Sequence, residues 1–290
     1  MTTTAARAHA VARSMLFVPT TSTRKIDKAF ASPAHAVILD LEDAVAIAEK
    51  PAARAQLRGI VGQPRPLPAW CRINAMSTGF CHQDVVGATV PGMAGLILPK
   101  AESADEIRAI DWLMGQVERE HGLVPGSVGL MAIVETARGL VHVDAIAAAS
   151  PRLVRLLYGA VDLAADMTID IDDASGANGH ARFAIARASA AAGLQAPLDT
   201  AFPDFANLDE LRATSLRAKG LGYGGKSCIH PTQVPVVNDV FSPSAREIAW
   251  AERVVAAFAA AEAAGQGAVQ IDGEMIDYPV VYRAQRILGR

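Results

Sequence analysis

The sequence predicts an α/β chain folded as a closed (β/α)8 barrel with a C-terminal extension. Three observations point there. Short apolar runs recur along the chain and are mostly continuous rather than alternating, as in strands buried on both faces. Ala-rich segments with helix start signals separate them. Eight such alternations fit within roughly 230 residues, the size and order of a barrel. An open doubly wound sheet shares that order, because periodicity does not report closure. No Gly-rich fingerprint follows the first run, which weakens a dinucleotide-binding reading.

The elements follow in order. The candidate strands are SMLFVP (14–19), AVILDL (36–41), WCRIN (70–74) and GLILPK (95–100). Then come VGLMAIVE (128–135), VRLLYG (154–159), LQAPLDT (194–200) and GGKSCIHP (224–231). Between them, Ser103 with Glu106 reads as a capping box, as does Ser244 with Glu247 after Pro243. Asn207 precedes LDE in the same way. The segment LDELRATSLRAKGLG carries apolar residues at 208, 211 and 216, with Gly220 as its stop signal. Residues 1–240 form the barrel in this reading. Residues 241–290 form a C-terminal helix and a tail, AVQIDGEMIDYPVVYRAQRILG, read as a hairpin or loop leading into a terminal helix.

Composition narrows the function classes. Of 290 residues, 51% are hydrophobic, which allows a sizeable core. The net charge is −3 with no basic block, which argues against a nucleic-acid partner. The N-terminus lacks the apolar stretch of a signal peptide. The most apolar helical segment, 248 to 265, contains Glu252, Arg253 and Glu262 and is too short and too charged to cross a bilayer. Cys71, Cys81 and Cys228 have no metal-ligand spacing and read as core thiols of a cytoplasmic protein.

In a barrel, chemistry gathers where strands end and βα loops begin. Asp40, Glu42 and Asp43 follow the second run, Arg72 and Asn74 the third, Lys100 the fourth and Glu135 the fifth. Asp162 follows the sixth, and Lys226 and His230 sit with the eighth. Polar residues at successive strand ends describe a cup around a common axis. Glu135 and Asp162 suit Mg²⁺, which takes one or two carboxylates and keeps waters for substrate to displace. Solvated loop acids, or Asp162 as a helix cap, produce the same pattern. Arg72 suits a carboxylate or a developing oxyanion, and equally an ion pair to the acid cluster. Lys100 and Lys226 read as stem-packed surface lysines, and His230 as a hydrogen-bonding residue. Ser227 and Cys228 lack a nucleophile elbow. The acid run itself, VILDLEDAVA, requires a positive neighbour. Arg72 and a bound cation would supply it, leaving Asp40, Glu42 and Asp43 around the metal waters and the arginine.

At this point the sequence resembles the citrate lyase β-subunit-like (CitE-like) acyl-CoA lyases of the HpcH/HpaI aldolase/citrate lyase superfamily. These include malyl-CoA and citramalyl-CoA lyases, on barrels of the pyruvate/phosphoenolpyruvate type. The matching motifs are RSMLFVP, VILDLEDAVAIAEKPAAR, RIN, LPKAES, VETARGL, LLYGAVDLAADM, KSCIHPTQVPVVNDVFSPS and GEMIDYPVV, in order over nearly the whole chain.

The resemblance implies a carbon–carbon lyase acting on a 3-hydroxyacyl-CoA thioester such as citramalyl-, malyl- or citryl-CoA. It implies Mg²⁺ on Glu135 and Asp162, and Arg72 on substrate oxygens. It assigns Asp277 to proton transfer at the thioester α-carbon in a neighbouring subunit's site, within a homotrimer or a multiple of it. Arg13, Arg24, Lys100, His230 and Pro231 are its candidates for the CoA region. Thr20 and Thr21 stand where many relatives carry a Pro-Gly turn, which leaves the carrier open between CoA and an acyl carrier protein. A CoA-independent 2-oxo-acid aldolase is a further alternative, although it would not need Asp277. The stretch IDIDDASG after the sixth strand reads as a specificity loop.

Overall fold

A computed structural model describes residues 12–170 and 176–289. The chain divides into two compact units at Phe241/Ser242. Eight parallel strands close the first unit into a barrel in sequence order, β1 pairing with both β2 and β8. They are β1 (Ser14–Pro19), β2 (Ala36–Asp40), β3 (Ala69–Arg72) and β4 (Met93–Leu98), then β5 (Gly129–Val134), β6 (Leu153–Tyr158), β7 (Gln195–Asp199) and β8 (Gly225–Cys228). All eight expected strands are present. The eighth was expected to run to residue 231, but pairing stops at Cys228. Beyond it the Gln233 side chain accepts the Ile229 and His230 amides and turns the chain into the next helix.

The helices of this unit are α1 (Thr23–Phe30), α2 (Lys50–Val61), α3 (Cys81–Ala88), α4 (Ala104–Glu120) and α5 (Ala137–Val141). They continue as α6 (Val143–Ala147), α7 (Ala160–Met167), α8 (Ala177–Ala191), α9 (Leu208–Gly220) and α10 (Gln233–Phe241). Ser103 and Glu106 form the expected capping box on α4, and Asn207 accepts the Glu210 amide on α9. Two details of α9 differ from expectation. Of its three apolar markers only Leu211 is buried, and the packed stripe is Leu211, Ser215 and Ala218. The turn that ends it uses Gly222, at φ +93, rather than Gly220.

The core has two layers. Side chains alternate across a strand, so one set fills the lumen: Met15, Ile38, Trp70, Ile97, Met131 and Leu198. The other, including Leu16, Val37, Leu39, Leu96 and Leu130, packs under the helices. Trp70 needs glycines beside it, because a Cβ on Gly95 would lie 2.1 Å from its ring and one on Gly129 2.9 Å. Arg155 closes the lumen floor with bonds to the Ala12, Ala196 and Pro197 carbonyls, and burial pushes its pKa down to about 9. The three cysteines are buried and free.

The second unit consists of α11 (Ala245–Ala263), an antiparallel hairpin of β9 (Val269–Ile271) and β10 (Glu274–Ile276), and α12 (Tyr278–Ile287). Ser244 and Glu247 form the capping box of α11. Asp272 and Gly273, at φ +51 and +87, make the hairpin turn. Ala251, Val254, Phe258, Ile276, Val281 and Ala284 form its core. Among the described residues no helix is long and apolar enough to cross a membrane.

Candidate active site

The site is built at the C-terminal ends of strands β2 to β6. Asp40 and Arg72 are register partners at the ends of β2 and β3. Each lies two residues beyond a lumen residue, Ile38 and Trp70, so both side chains point inward. Arg72 grips Asp40 with two bonds, Nε to Oδ1 at 2.8 Å and Nη2 to Oδ2 at 2.6 Å. Its Nη1 lies 2.9 Å from Glu42 and 3.1 Å from Asp43. The Phe17 ring lies under the guanidinium at 4.9 Å. The ion-pair reading of Arg72 is therefore realised. One N–H of Nη2 still has no acceptor among the described residues.

The acid run stays in place because its backbone is tied down. Asp40 Oδ1 accepts the Glu42 amide and Oδ2 the Ala44 amide. Lys50, buried at the start of α2, donates to the Leu41 and Glu42 carbonyls at 2.8 and 2.7 Å. Thr20 is fully buried, and its amide and hydroxyl both donate to the Asp40 carbonyl. The departure at Thr20 thus joins β1 to the acid loop.

Lys100 follows β4 with a left-handed backbone, φ +49. Its amide donates to Glu135 Oε1 at 2.9 Å. Its ammonium lies 2.7 Å from Glu42 Oε1 and 3.4 Å from Asp162 Oδ1. Lys100 is therefore a member of the carboxylate cluster. The surface expectation is corrected, because the turn at this residue brings the side chain onto Glu42 and Asp162. Glu135 directly follows β5 and is 2% exposed. Burial, then the Asp162 and Glu42 charges, push its pKa up to about 8. Burial also raises the Glu42 pKa, against the pull of Arg72 and Lys100. Asp162 sits in the first turn of α7, where the N-cap is Gly159 rather than Asp162. Gly159 makes room for the acid, since a Cβ there would lie 2.2 Å from Glu135 Oε2.

The remaining candidates fall elsewhere. Arg13 precedes β1 and is one strand length from Asp40, at the opposite mouth of the barrel; its carbonyl accepts the Lys226 amide. Arg24 is exposed in the first turn of α1, at the same rim as the site. His230 and Pro231 lie beyond β8, with His230 stacked on Phe205 and bonded to Thr232. Asn74 is turned to Asp84 and the Leu41 carbonyl. Lys226 is neither at the surface nor in the cup. It is 1% exposed and pairs in register with Asp199, which neighbours the lumen residue Leu198 and so faces outward. In the second unit Asp277 occupies the N-cap position of α12, yet its side chain accepts no capping bond. Residues 171–175 of the expected specificity loop lie outside the described residues. Phe17, Lys50 and Gly159 were not anticipated. A lysine within ten residues of an acid run was the one available signal.

The donor set suits a hard divalent cation. Among the described residues no group of three or more His, Cys, Asp or Glu side chains converges on a metal position. Glu135 and Asp162 supply two carboxylates, and Glu135, its pKa raised first by burial and then by the neighbouring Asp162 and Glu42 charges, is a carboxylate that a cation would stabilise in its ionised form.

Comparison with known proteins gives the family. The model of the HpcH/HpaI aldolase/citrate lyase family matches residues 13–231. Citrate lyase subunit beta of Escherichia coli (strain K12) is 34% identical over 280 residues, covering 96% of this chain and 92% of that protein. The L-malyl-CoA/beta-methylmalyl-CoA lyase of Cereibacter sphaeroides (strain ATCC 17025 / ATH 2.4.3) is 33% identical over 300 residues, covering 95% and 93%. A crystal structure of protein CitE from Mycobacterium tuberculosis, in complex with magnesium, acetoacetate and coenzyme A, is 35% identical with a TM-score of 0.78, covering 97% of this chain and 98% of that one. With a closed barrel, a carboxylate–arginine cup at its C-terminal mouth and relatives alike over nearly their whole length, this chain belongs to the HpcH/HpaI aldolase/citrate lyase family and is a lyase.

Proposed function

We propose that the chain is a Mg²⁺-dependent lyase that cleaves, or in reverse forms, a 3-hydroxyacyl-CoA thioester such as citramalyl-, malyl- or citryl-CoA. The products are a 2-oxo acid and an acyl thioester. The observation that carries this reading is the buried Glu135 beside Asp162, facing the clamped Arg72 across one rim. The related CitE structure with magnesium, acetoacetate and coenzyme A supports the choice of metal and thioester.

Glu135 and Asp162 would hold the metal, which when bound supplies Lewis-acid polarisation of substrate oxygens. Arg72 offers its free Nη2 hydrogen to the oxygen on which charge develops, and Asp40 fixes the plane of that donor. Lys100 holds Glu42 and Asp162 in place from the opposite side. Asp277 would move the proton at the thioester α-carbon, acting in the site of a neighbouring protomer of a homotrimer or its multiple. Its unused capping position and the exposed Met275, Tyr278 and Tyr282 beside it support a C-terminal region, 241–290, that packs on another subunit. Arg24, Lys100, His230 and Pro231 remain candidates for the CoA arm. The cytoplasm, a reducing compartment, suits three unpaired thiols. A second reading, a lyase subunit acting on an acyl-carrier-protein thioester, is supported by the likeness to citrate lyase subunit beta.

The test is a coupled assay of 2-oxo acid release from citramalyl-CoA, malyl-CoA and citryl-CoA, with Mg²⁺ and with excess chelator. Turnover of at least one substrate, lost on chelation, is expected. Inactivity on all three CoA esters with activity on the acyl-carrier-protein form would select the second reading.

A further inference from the structure

Outside the lumen, between the barrel wall and helices α8 and α9, lies a cavity of about 610 Å³. Its inner wall carries an unbalanced cluster of charge. Asp199 is fully buried and accepts Arg182 Nε on Oδ1 at 2.8 Å and Lys226 Nζ on Oδ2 at 2.5 Å. Two cations therefore share one carboxylate, with Lys226 99% shielded from solvent. A net buried charge of this kind is costly unless something answers it. Arg182 spends only Nε on Asp199. Its two terminal amino groups have no hydrogen-bond partner among the described residues, and the guanidinium lies over the Tyr158 ring at 5.3 Å. Both cations line the cavity.

The other walls define what would fit. Thr200, Asn207 and Thr214 add polar groups, while Ala201, Phe202 and Pro203 form an apolar side. Asp204 and Glu210 stand at the outer part, Glu210 already paired with Arg217 at 2.8 Å. Those acids disfavour a ligand of high negative charge. We propose that this cavity is a binding site for a small organic monocarboxylate, its carboxylate on the Arg182 fork and its apolar body against Phe202. A planar fork matches a carboxylate with two parallel bonds. The cavity's charged wall differs from that of the Glu135/Asp162 cup, because Asp199 and Lys226 face outward from their strands while Asp40 and Arg72 face the lumen. The cavity touches the same helix, because Thr200 Oγ1 accepts the Ala160 amide at the start of α7, which carries Asp162.

The experiment titrates the full chain, freed of divalent cations by chelation, with benzoate, its neutral isostere benzyl alcohol, and inorganic phosphate. The readout is calorimetry, so it does not depend on lyase activity or on the proposed reaction. Benzoate is expected to bind with a dissociation constant on the order of millimolar. Arg182→Lys keeps the charge on Asp199 but removes the fork, and should weaken binding roughly tenfold or more. Thr214→Phe fills the cavity from α9 without touching the charged cluster, and should abolish binding. Thermal melting establishes that each variant is folded; Thr214→Phe alone decides if Arg182→Lys is not. Benzoate binding unchanged in the folded variants, equal binding of benzyl alcohol, binding of phosphate in preference to benzoate, or no binding of benzoate to the parent would each overturn the proposal.

Discussion

The backbone amide of Lys100 holds Glu135 at 2.9 Å while the ammonium of the same residue lies 3.4 Å from Asp162. One residue thus contacts both candidate metal carboxylates. It does so because its left-handed backbone turns amide and side chain to the same rim. A cation binding there competes with a proton on Glu135 and with the Lys100 ammonium.

Proton linkage follows from Glu135. Its folded pKa, about 8, lies above the ordinary glutamate value of 4.5, so the metal-free folded state binds the extra proton. The stability this contributes is complete below pH 4.5 and is lost as pH rises through about 8. Mg²⁺ requires the ionised form. Calorimetry at pH 7 in two buffers of different ionisation enthalpy should show about one proton released per Mg²⁺ bound, and close to none at pH 9. Equal release at both pH values would contradict the assignment.

Gly159→Ala places a methyl where Glu135 Oε2 now sits, 2.2 Å from the new carbon. The Glu135 Cβ would lie only 2.6 Å from it as well, so rotating the side chain is not enough and the ends of β5 and β6 must also shift; Mg²⁺ affinity should fall roughly tenfold or more, as when a supporting group at a metal site is lost. The backbone at Gly159, φ −112, is open to alanine, and thermal melting checks that the variant stays folded. Parental Mg²⁺ affinity in a folded variant would show that Glu135 does not need this space.

Arg72→Lys keeps one positive charge among Asp40, Glu42 and Asp43 but loses the paired grip on Asp40. Removal of an oxyanion donor typically costs about 10²–10³ in rate. The expected result is a fall in kcat of that order with Mg²⁺ binding retained. Near-parental turnover would leave Arg72 with its ion pairs alone.

Asp277→Ala and Arg72→Ala should each be inactive alone. Oligomers mixed from the two should recover activity, because one interface then joins an intact Arg72 barrel to an intact Asp277. Exchange of the α-proton of an acetyl thioester should be lost in Asp277→Ala while Mg²⁺ binding persists. Confirmed mixed oligomers without activity would sink the cross-subunit role.

The barrel was legible because its signals are local. Short continuous apolar runs such as VILDL, and capping boxes at Ser103 and Ser244, act within a few residues of themselves. Asp40, Glu42, Arg72, Glu135 and Asp162 could be singled out from the chain because each follows such a run. Their partners could not. Lys100 and Lys226 both read as surface lysines in the sequence, yet one turns onto Glu42 and Asp162 from a left-handed residue and the other lies between strand and helix on Asp199. Which face a strand residue takes depends on register, and register is set by closure of the whole sheet. The glycine that shelters Glu135 and the lysine that pins the acid loop act across residues distant in sequence or across a turn of chain. Local sequence determined the strands, the caps and the acids at the rim. Only the closed barrel decided which charges meet, because burial and pairing are properties of the packed whole.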